Sequence, residues 1–190
     1  MKKISAFTLA LLLAFSLFVS CGKNGGGNTN GANDSAKQPA KQALKEIKPS
    51  ELITLGDAER ILGKDMQAID ADITDSNGDI SALYGALGGD LESVNIVRRD
   101  GSSFAETINE NDTDATIVTE IGDWACIAVN EYDFGVTYLY IDHSGYHIKI
   151  SLTSDPFNDL RSAEENAART TEKLKEFGKL AVERIDAIIN

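Results

Sequence analysis

The chain has 190 residues, with 18 Lys plus Arg against 30 Asp plus Glu, two His, two Cys and a formal net charge of −12. So acidic a chain lacks the basic face that nucleic acid requires, and two cysteines build neither a disulfide framework nor a structural zinc site. Its 42 % hydrophobic and 25 % charged residues are the composition of a globular protein rather than of a wholly disordered one.

Met1-Lys2-Lys3 is a short positive segment, and Ile4 to Val19 follows without a charge, apolar apart from Ser5, Thr8 and Ser16. That stretch of 16 residues is short beside the roughly 20 a spanning helix needs, and it suits the core of a signal peptide. It runs into Leu17-Phe18-Val19-Ser20-Cys21. These residues resemble the lipobox of bacterial prolipoproteins, with Phe18 where Leu is usual. The resemblance implies cleavage after residue 20 and lipidation of Cys21, palmitate included. It places the mature protein outside the cytoplasm, lipid-anchored in the cell membrane or outer membrane. Gly22, where an Asp would retain an enterobacterial lipoprotein, points to the outer membrane if the cell has one.

Residues 21–49 read as the lipidated cysteine and a flexible tether. Gly22 to Gly31 has almost nothing to bury and much backbone entropy to lose. The stretch Lys37 to Lys48 adds Gln, Ala and Pro39, with a transient helix expected around Lys41–Ile47. About 28 flexible residues reach on the order of 30 Å root-mean-square. Five Lys against Asp34 and Glu46 make the tether +3.

Residues 50–190 form one α+β domain, long enough for a single hydrophobic core. Thr54, Ser103 and Ser162 each stand three residues before an acid, a helix-start pattern. The first helix is expected over Leu55–Leu62 with Gly63 as its stop, and a short one over Phe104–Asn109. The longest spans Ser162–Ile189, where Ala163, Ala167, Leu174, Phe177, Ala181, Ile185 and Ile188 make one apolar stripe. Period-two segments are Gln67–Ile73, with Ile69, Ala71 and Ile73 on one side, then Ser81–Leu87 and Leu91–Arg99, joined at Gly88-Gly89-Asp90. Trp124–Glu131, Val136–Asp142 and Tyr146–Thr153 follow, with connections short enough to force an antiparallel meander. The expected order is α-βββ-α-βββ-α, an antiparallel sheet with helices on one face and a weak hint of internal duplication.

Leu52-Ile53-Thr54-Leu55-Gly56-Asp57-Ala58-Glu59-Arg60-Ile61-Leu62-Gly63 is similar to the opening helix of many small, uncharacterised bacterial lipoproteins. Ile121-Gly122-Asp123-Trp124-Ala125 is similar to the lead into their later hairpin. The resemblance implies an extracytoplasmic α+β module and no particular catalysis.

No catalytic, metal-binding or cofactor-binding residues emerge from the sequence. Asp142, His143 and His147 surround a hairpin turn, but His147 alternates away from the core and the ligands do not converge. Asp70 to Asp79 imitates a calcium loop, yet EF-hand register would put Ile73 and Tyr84 at ligand positions; Asp75, Asn77 and Asp79 could form an irregular weak site, but a turn at Ser76-Asn77-Gly78 with solvated acids is the preferred reading. Glu110 to Asp114 reads as a polar loop. Cys126 sits mid-strand among small apolar residues as a buried thiol, and a Cys126–His147 dyad lacks any sign of activation.

Trp124, Tyr132, Phe134, Tyr138, Tyr140 and Tyr146 crowd into 23 residues. Alternation sorts the meander into two faces. Ile127, Val129, Leu139, Ile141, Ile148, Ile150 and Leu152 fit the core. Trp124, Cys126, Asn130, Tyr138, Tyr140, His147, Lys149 and Ser151 fit the opposite face. Cross-strand aromatic packing accounts for that pattern. The face is nevertheless the best binding candidate, through Trp124, Tyr138, Tyr140, His147 and Lys149.

The expectation is therefore a lipid-anchored binding or interaction module of the envelope, without a cofactor. Its partners would be the membrane, through the anchor, and an envelope protein or small ligand, not nucleic acid. The alternatives are an envelope hydrolase using acids or Cys126, and a divalent-cation-responsive surface protein. By segment, the signal carries +2, the tether +3 and the domain −17, from 11 Lys plus Arg against 28 Asp plus Glu.

Overall fold

The computed structural model describes residues 44–88, 90–108, 115–129, 136–153 and 163–190, all within the unit Gln42–Asn190. Two helices open it, α1 (Pro49–Leu52) and α2 (Leu55–Leu62). The cap read from Thr54 is present: Asp57 N–H donates to Thr54 Oγ1 at 3.3 Å, and Thr54 N–H donates to Asp57 Oδ2 at 2.9 Å. Gly63 ends α2 at φ +73°, a left-handed conformation that favours glycine. The one-turn α1 was not expected; Pro49 at its start presets the helical φ, and Glu51 accepts from Lys48 N–H at 2.9 Å.

Residues 44–48, which the sequence reading gave to the tether, are packed against the domain. Ile47 is fully buried, Tyr146 Oη donates to the Lys45 carbonyl at 2.8 Å, and Lys45 Nζ donates to the Ile188 carbonyl at 3.0 Å. Leu44 is exposed and Ile47 buried in the same polar stretch, a difference that only the tertiary neighbours reveal.

The fold is α+β. Seven strands follow: β1 (Met66–Thr74), β2 (Ile80–Ala86), β3 (Ser93–Arg99), then, after α3 (Phe104–Thr107), β4 (Ala115–Ile117), β5 (Trp124–Val129), β6 (Val136–His143) and β7 (Tyr146–Thr153). The chain closes with α4 (Ala163–Ile189). Every neighbouring pair is antiparallel, in the order β1-β2-β3-β7-β6-β5-β4. Two meanders thus meet where β3 pairs with β7. The strand order is one a duplication could give, but the helices do not follow it: α2 packs on β1 over the core, whereas α3 contacts β6 from the other side.

One face of the sheet carries the core. Ala82, Tyr84, Val94, Ile96, Ala125, Ile127, Leu139, Ile141, Ile148, Ile150 and Leu152 lie beneath Leu52 and Ile53 of the opening segment and Leu174, Phe177, Ala181 and Ile185 of α4. Each fully buried Leu, Ile or Phe contributes roughly 1.5–3 kcal/mol relative to exposure. Gly178 lets α4 approach closely, since a Cβ there would lie 2.6 Å from Leu139 Cδ2 and 3.1 Å from Ile121 Cδ1. Arg184 Nη1 ties α4 to the opening helices by donating to the Leu52 carbonyl at 2.8 Å and to Asp57 Oδ2 at 2.6 Å. Burial opposes ionisation of Asp57, but the bonds from Arg184 and Thr54 outweigh it and hold the carboxyl below its usual range.

Four sequence expectations need correction. Strict alternation fails in β1, where register slips between Ala68 and Asp70 and between Asp70 and Ile73, and Asp72 adopts φ +52°. Ile69 and Ile73 are consequently 53 % and 50 % exposed, and Ala71 is exposed too, as bulges at a sheet edge permit. Val129, expected in the core, is 49 % exposed at the end of β5. Ala167 is exposed, so the apolar stripe of α4 begins to bury only further along. The seventh strand, β4, is three residues long, too short for alternation to register. The Ser162 cap and the Glu110–Asp114 loop lie outside the described residues. Among the described residues, no helix is long and apolar enough to cross a membrane.

Candidate functional site

Register decides which side chains share the second face of the sheet. Trp124 lies opposite Asp142, Asp142 opposite His147, and His147 opposite Arg99, a row crossing β5, β6, β7 and β3. The next row runs Cys126, Tyr140, Lys149, Val97, and the one after it Ala128, Tyr138, Ser151, Asn95. Trp124, Tyr138, Tyr140, His147 and Lys149 therefore do share one face, and all five are half-buried. Asn130, Tyr132 and Phe134 lie outside the described residues.

The one-turn α3 sits on this face rather than on the core. Ser103 caps it as its sequence suggested, accepting from Glu106 N–H at 3.2 Å. Asp142 makes the second attachment: its carboxylate accepts from Phe104 N–H at 3.0 Å and from Ala105 N–H at 2.8 Å. The same carboxylate lies 2.7 Å from His147 Nδ1. One buried acid thereby holds both the helix and the imidazole.

The aromatic rings are engaged with one another and with cations. Phe104 packs on Tyr140 with centroids 5.0 Å apart and meets His147 edge-on at 6.3 Å. Arg99 lies 5.3 Å over the Phe104 ring, and Lys149 Nζ lies 4.6 Å from the centre of Tyr138. Tyr138 and Tyr140 stack at 6.0 Å. Burial, then the neighbouring Tyr138, pushes the Tyr140 hydroxyl above its ordinary value, so it remains a neutral donor. The face can offer two cations, tyrosine hydroxyls and an oriented imidazole to a polar or anionic partner.

Arg99, Phe104 and Asp142 complete this cluster and were not singled out for it. In the sequence Asp142 stands only beside the histidines, and Phe104 only at a helix start. No local spacing announces that a helix 38 residues earlier in the chain will land on Asp142.

The other candidates disperse. Cys126 is fully buried, and burial, then the charge of Asp142, pushes its thiol up to about 11. The Cys126–His147 dyad therefore lacks a prepared nucleophile, its thiol being held protonated. His143 points to the helix-covered side, with Nε2 2.9 Å from Asp186 Oδ1 of α4, and does not converge with His147. Asp75 Oδ1 accepts from Asn77 N–H at 2.7 Å and Asp79 N–H at 3.1 Å, and Asp79 Oδ1 accepts from Asp100 N–H at 2.9 Å. Those oxygens build a turn. Among the described residues, no three His, Cys, Asp or Glu side chains cluster to hold a metal.

No protein-family model matches the chain, and no curated protein matches it. Among solved structures the chain is similar to protein Ms6760 from Mycobacterium smegmatis, at 15 % identity over 75 % of this chain and 81 % of that one, with a TM-score of 0.22, too low to assign either fold or activity.

Proposed function

We propose that this chain is a lipid-anchored, extracytoplasmic binding module of the bacterial envelope, held through Cys21 and recognising a partner with the second face of its sheet. The anchor rests on the lipobox-like Leu17–Cys21 segment. One observation carries the recognition surface: Arg99, Tyr138, Tyr140, His147 and Lys149 are fixed by mutual contacts on a rigid sheet and remain half-buried rather than sealed. Replacing Trp124, Tyr138 and Tyr140 together with Ala should abolish crosslinking of a discrete envelope component by the membrane-bound protein while the domain stays folded. Undiminished crosslinking would eliminate this face. Separately, Cys21→Ala should remove palmitate labelling and membrane fractionation; a variant that stays labelled and membrane-bound refutes the anchor.

A second reading, an envelope hydrolase, draws support from the Asp142–His147 pair, since a carboxylate on Nδ1 is how a general base is oriented. It lacks a nucleophile, Cys126 being held as a thiol. An Asp142→Asn variant that loses turnover of an ester or peptide probe hydrolysed by the wild type would favour it. The cation-responsive reading predicts a higher melting midpoint in millimolar calcium, and no shift removes it.

A further inference from the structure

The chemistry of a ligand for the second face can be read from three of its side chains, an inference that rests on that face being the recognition surface. Arg99 and His147 are direct cross-strand partners on β3 and β7, so their side chains leave the sheet as neighbours. Both meet the Phe104 ring: Arg99 Cζ lies 5.3 Å from its centroid, and the His147 ring lies at 6.3 Å. Tyr140, on β6, packs against the same ring at 5.0 Å. Three polar side chains from three strands thus surround one apolar ring, itself 3 % exposed. Each of the three keeps part of its surface in solvent.

Arg60, Lys64, Lys173, Lys175 and Arg184 are each paired with an acid, as expected in a domain of −17. Arg99 is different: among the described residues its guanidinium has no carboxylate and no hydrogen bond, and rests on the Phe104 ring alone. The imidazole beside it is set in one orientation. Asp142 already accepts from Phe104 N–H and Ala105 N–H, so as a carboxylate it takes its contact with His147 from an Nδ1–H. In the neutral ring Nε2 is then an acceptor, and it has no partner among the described residues. The charge of Asp142 is engaged by three N–H groups at the Nδ1 edge, away from Nε2. The Tyr140 hydroxyl lies within the field of Arg99 and likewise makes no hydrogen bond among the described residues.

We propose that Arg99, His147 and Tyr140 bind a hydroxylated carboxylate, a sugar acid. The guanidinium fork takes the carboxylate through two parallel N–H···O bonds. The adjacent Nε2 accepts from a hydroxyl of the same molecule, and the Tyr140 hydroxyl bonds a further oxygen. A dicarboxylate would bring a second anion against the Nε2 lone pair. A neutral sugar would leave the guanidinium without its partner. An acidic peptide supplies carboxylates with no hydroxyl close beside them.

D-Glucuronate is the probe, titrated against the full chain at neutral pH and followed by saturation-transfer NMR of the ligand. Saturable binding is expected. Glucose, which lacks the carboxylate, and cyclohexanecarboxylate, which lacks the hydroxyls, should each bind at least about tenfold more weakly. Arg99→Ala should weaken glucuronate binding by about tenfold or more. Arg99→Lys keeps a cation over Phe104, and with it the fold, but loses the fork and should weaken binding by at least about threefold. His147→Ala should lower glucuronate affinity to that of cyclohexanecarboxylate and leave the latter unchanged, a loss of selectivity that a loosened face would not give. Lys179→Ala, exposed on α4, should change nothing. Absence of saturable binding, or unaltered binding by Arg99→Lys and His147→Ala, overturns the site. Equal binding of cyclohexanecarboxylate, or tighter binding of orthophosphate, overturns the sugar acid. Crosslinking that depends on Trp124, Tyr138 and Tyr140 but is accompanied by no glucuronate binding keeps the recognition face and overturns this ligand. Crosslinking that survives their replacement, with glucuronate still bound through Arg99, removes the envelope partner and keeps the sugar acid.

Discussion

The two faces of this sheet are made by the same strands with the same alternation, and they end in different physical states. On one, Ile96, Leu139, Ile141, Ile148 and Ile150 are fully buried beneath Phe177, Ala181 and Ile185, with Gly178 drawing the helix down. On the other, Tyr138, Tyr140, His147 and Lys149 are half-buried, and among the described residues the one-turn α3 reaches across, pinned by Asp142. The covered face is held by area and shape. The second is held by directional contacts: a carboxylate with several bonds, two cations over rings, and one stacked pair. A face assembled that way can be stable and still present polar groups to a partner, which a sealed apolar layer cannot.

Matched truncations would break or sharpen this contrast. Phe177→Ala should cost the most, about 3–5 kcal/mol by urea denaturation, because it empties a closed core. Phe104→Ala, equally inaccessible but resting on Tyr140, His147 and Arg99, should cost nearer 2 kcal/mol, since those partners can settle into the space. Equal losses would mean that the second face is core in all but name.

Arg184→Met comes next, at about 2–3 kcal/mol, through the lost bonds to Asp57 and the Leu52 carbonyl. Asp57 has a folded-state value below its unfolded one, so its contribution is present above the ordinary carboxylate range and is lost as pH falls through the folded value. The stability gap between wild type and Arg184→Met should therefore narrow in acid, and a gap independent of pH would show that the ion pair is not its source.

Asp142→Asn should cost about 1–2 kcal/mol and loosen α3, visible as faster amide exchange at Phe104 and Ala105. Protection that stays unchanged would mean packing, not the carboxylate, fixes the helix. Cys126 gives the smallest effect at neutral pH. Its folded-state value is raised to about 11, so its contribution is complete at neutral pH and fades as pH rises from the free-thiol value toward 11. The folded protein should resist alkylation at pH 8 and react once unfolded; rapid labelling of the folded state would revive the nucleophile.

The parts of this fold that could be read from the chain are those whose cause is local. Thr54 with Asp57 and Gly63 specify α2 because a cap and a left-handed stop involve neighbours only three to eight positions away. The faces of β6 and β7 were legible because a uniform pleat carries the pattern from Tyr138 to Tyr140 and from Ile148 to Ile150. Where the pleat is interrupted, as at Asp72 in β1, the same reasoning misplaced Ile69 and Ile73. Alternation places the five candidate residues on one face, as the register does, but not their neighbours Arg99 and Phe104, because β3 joins β7 and α3 crosses the sheet through contacts distant in sequence.

By itself, then, the sequence determined an acidic α+β domain, its capped helices, its meanders and the separation of an apolar from an aromatic face. Those follow from side-chain chemistry and the two backbone periods. Only the tertiary structure decided that the two meanders meet at β3 and β7, that Ile47 belongs to the core, and that Asp142 fastens α3 over His147. Such pairings are chosen by burial and charge between distant segments, and no short window of the chain contains both sides of the interaction.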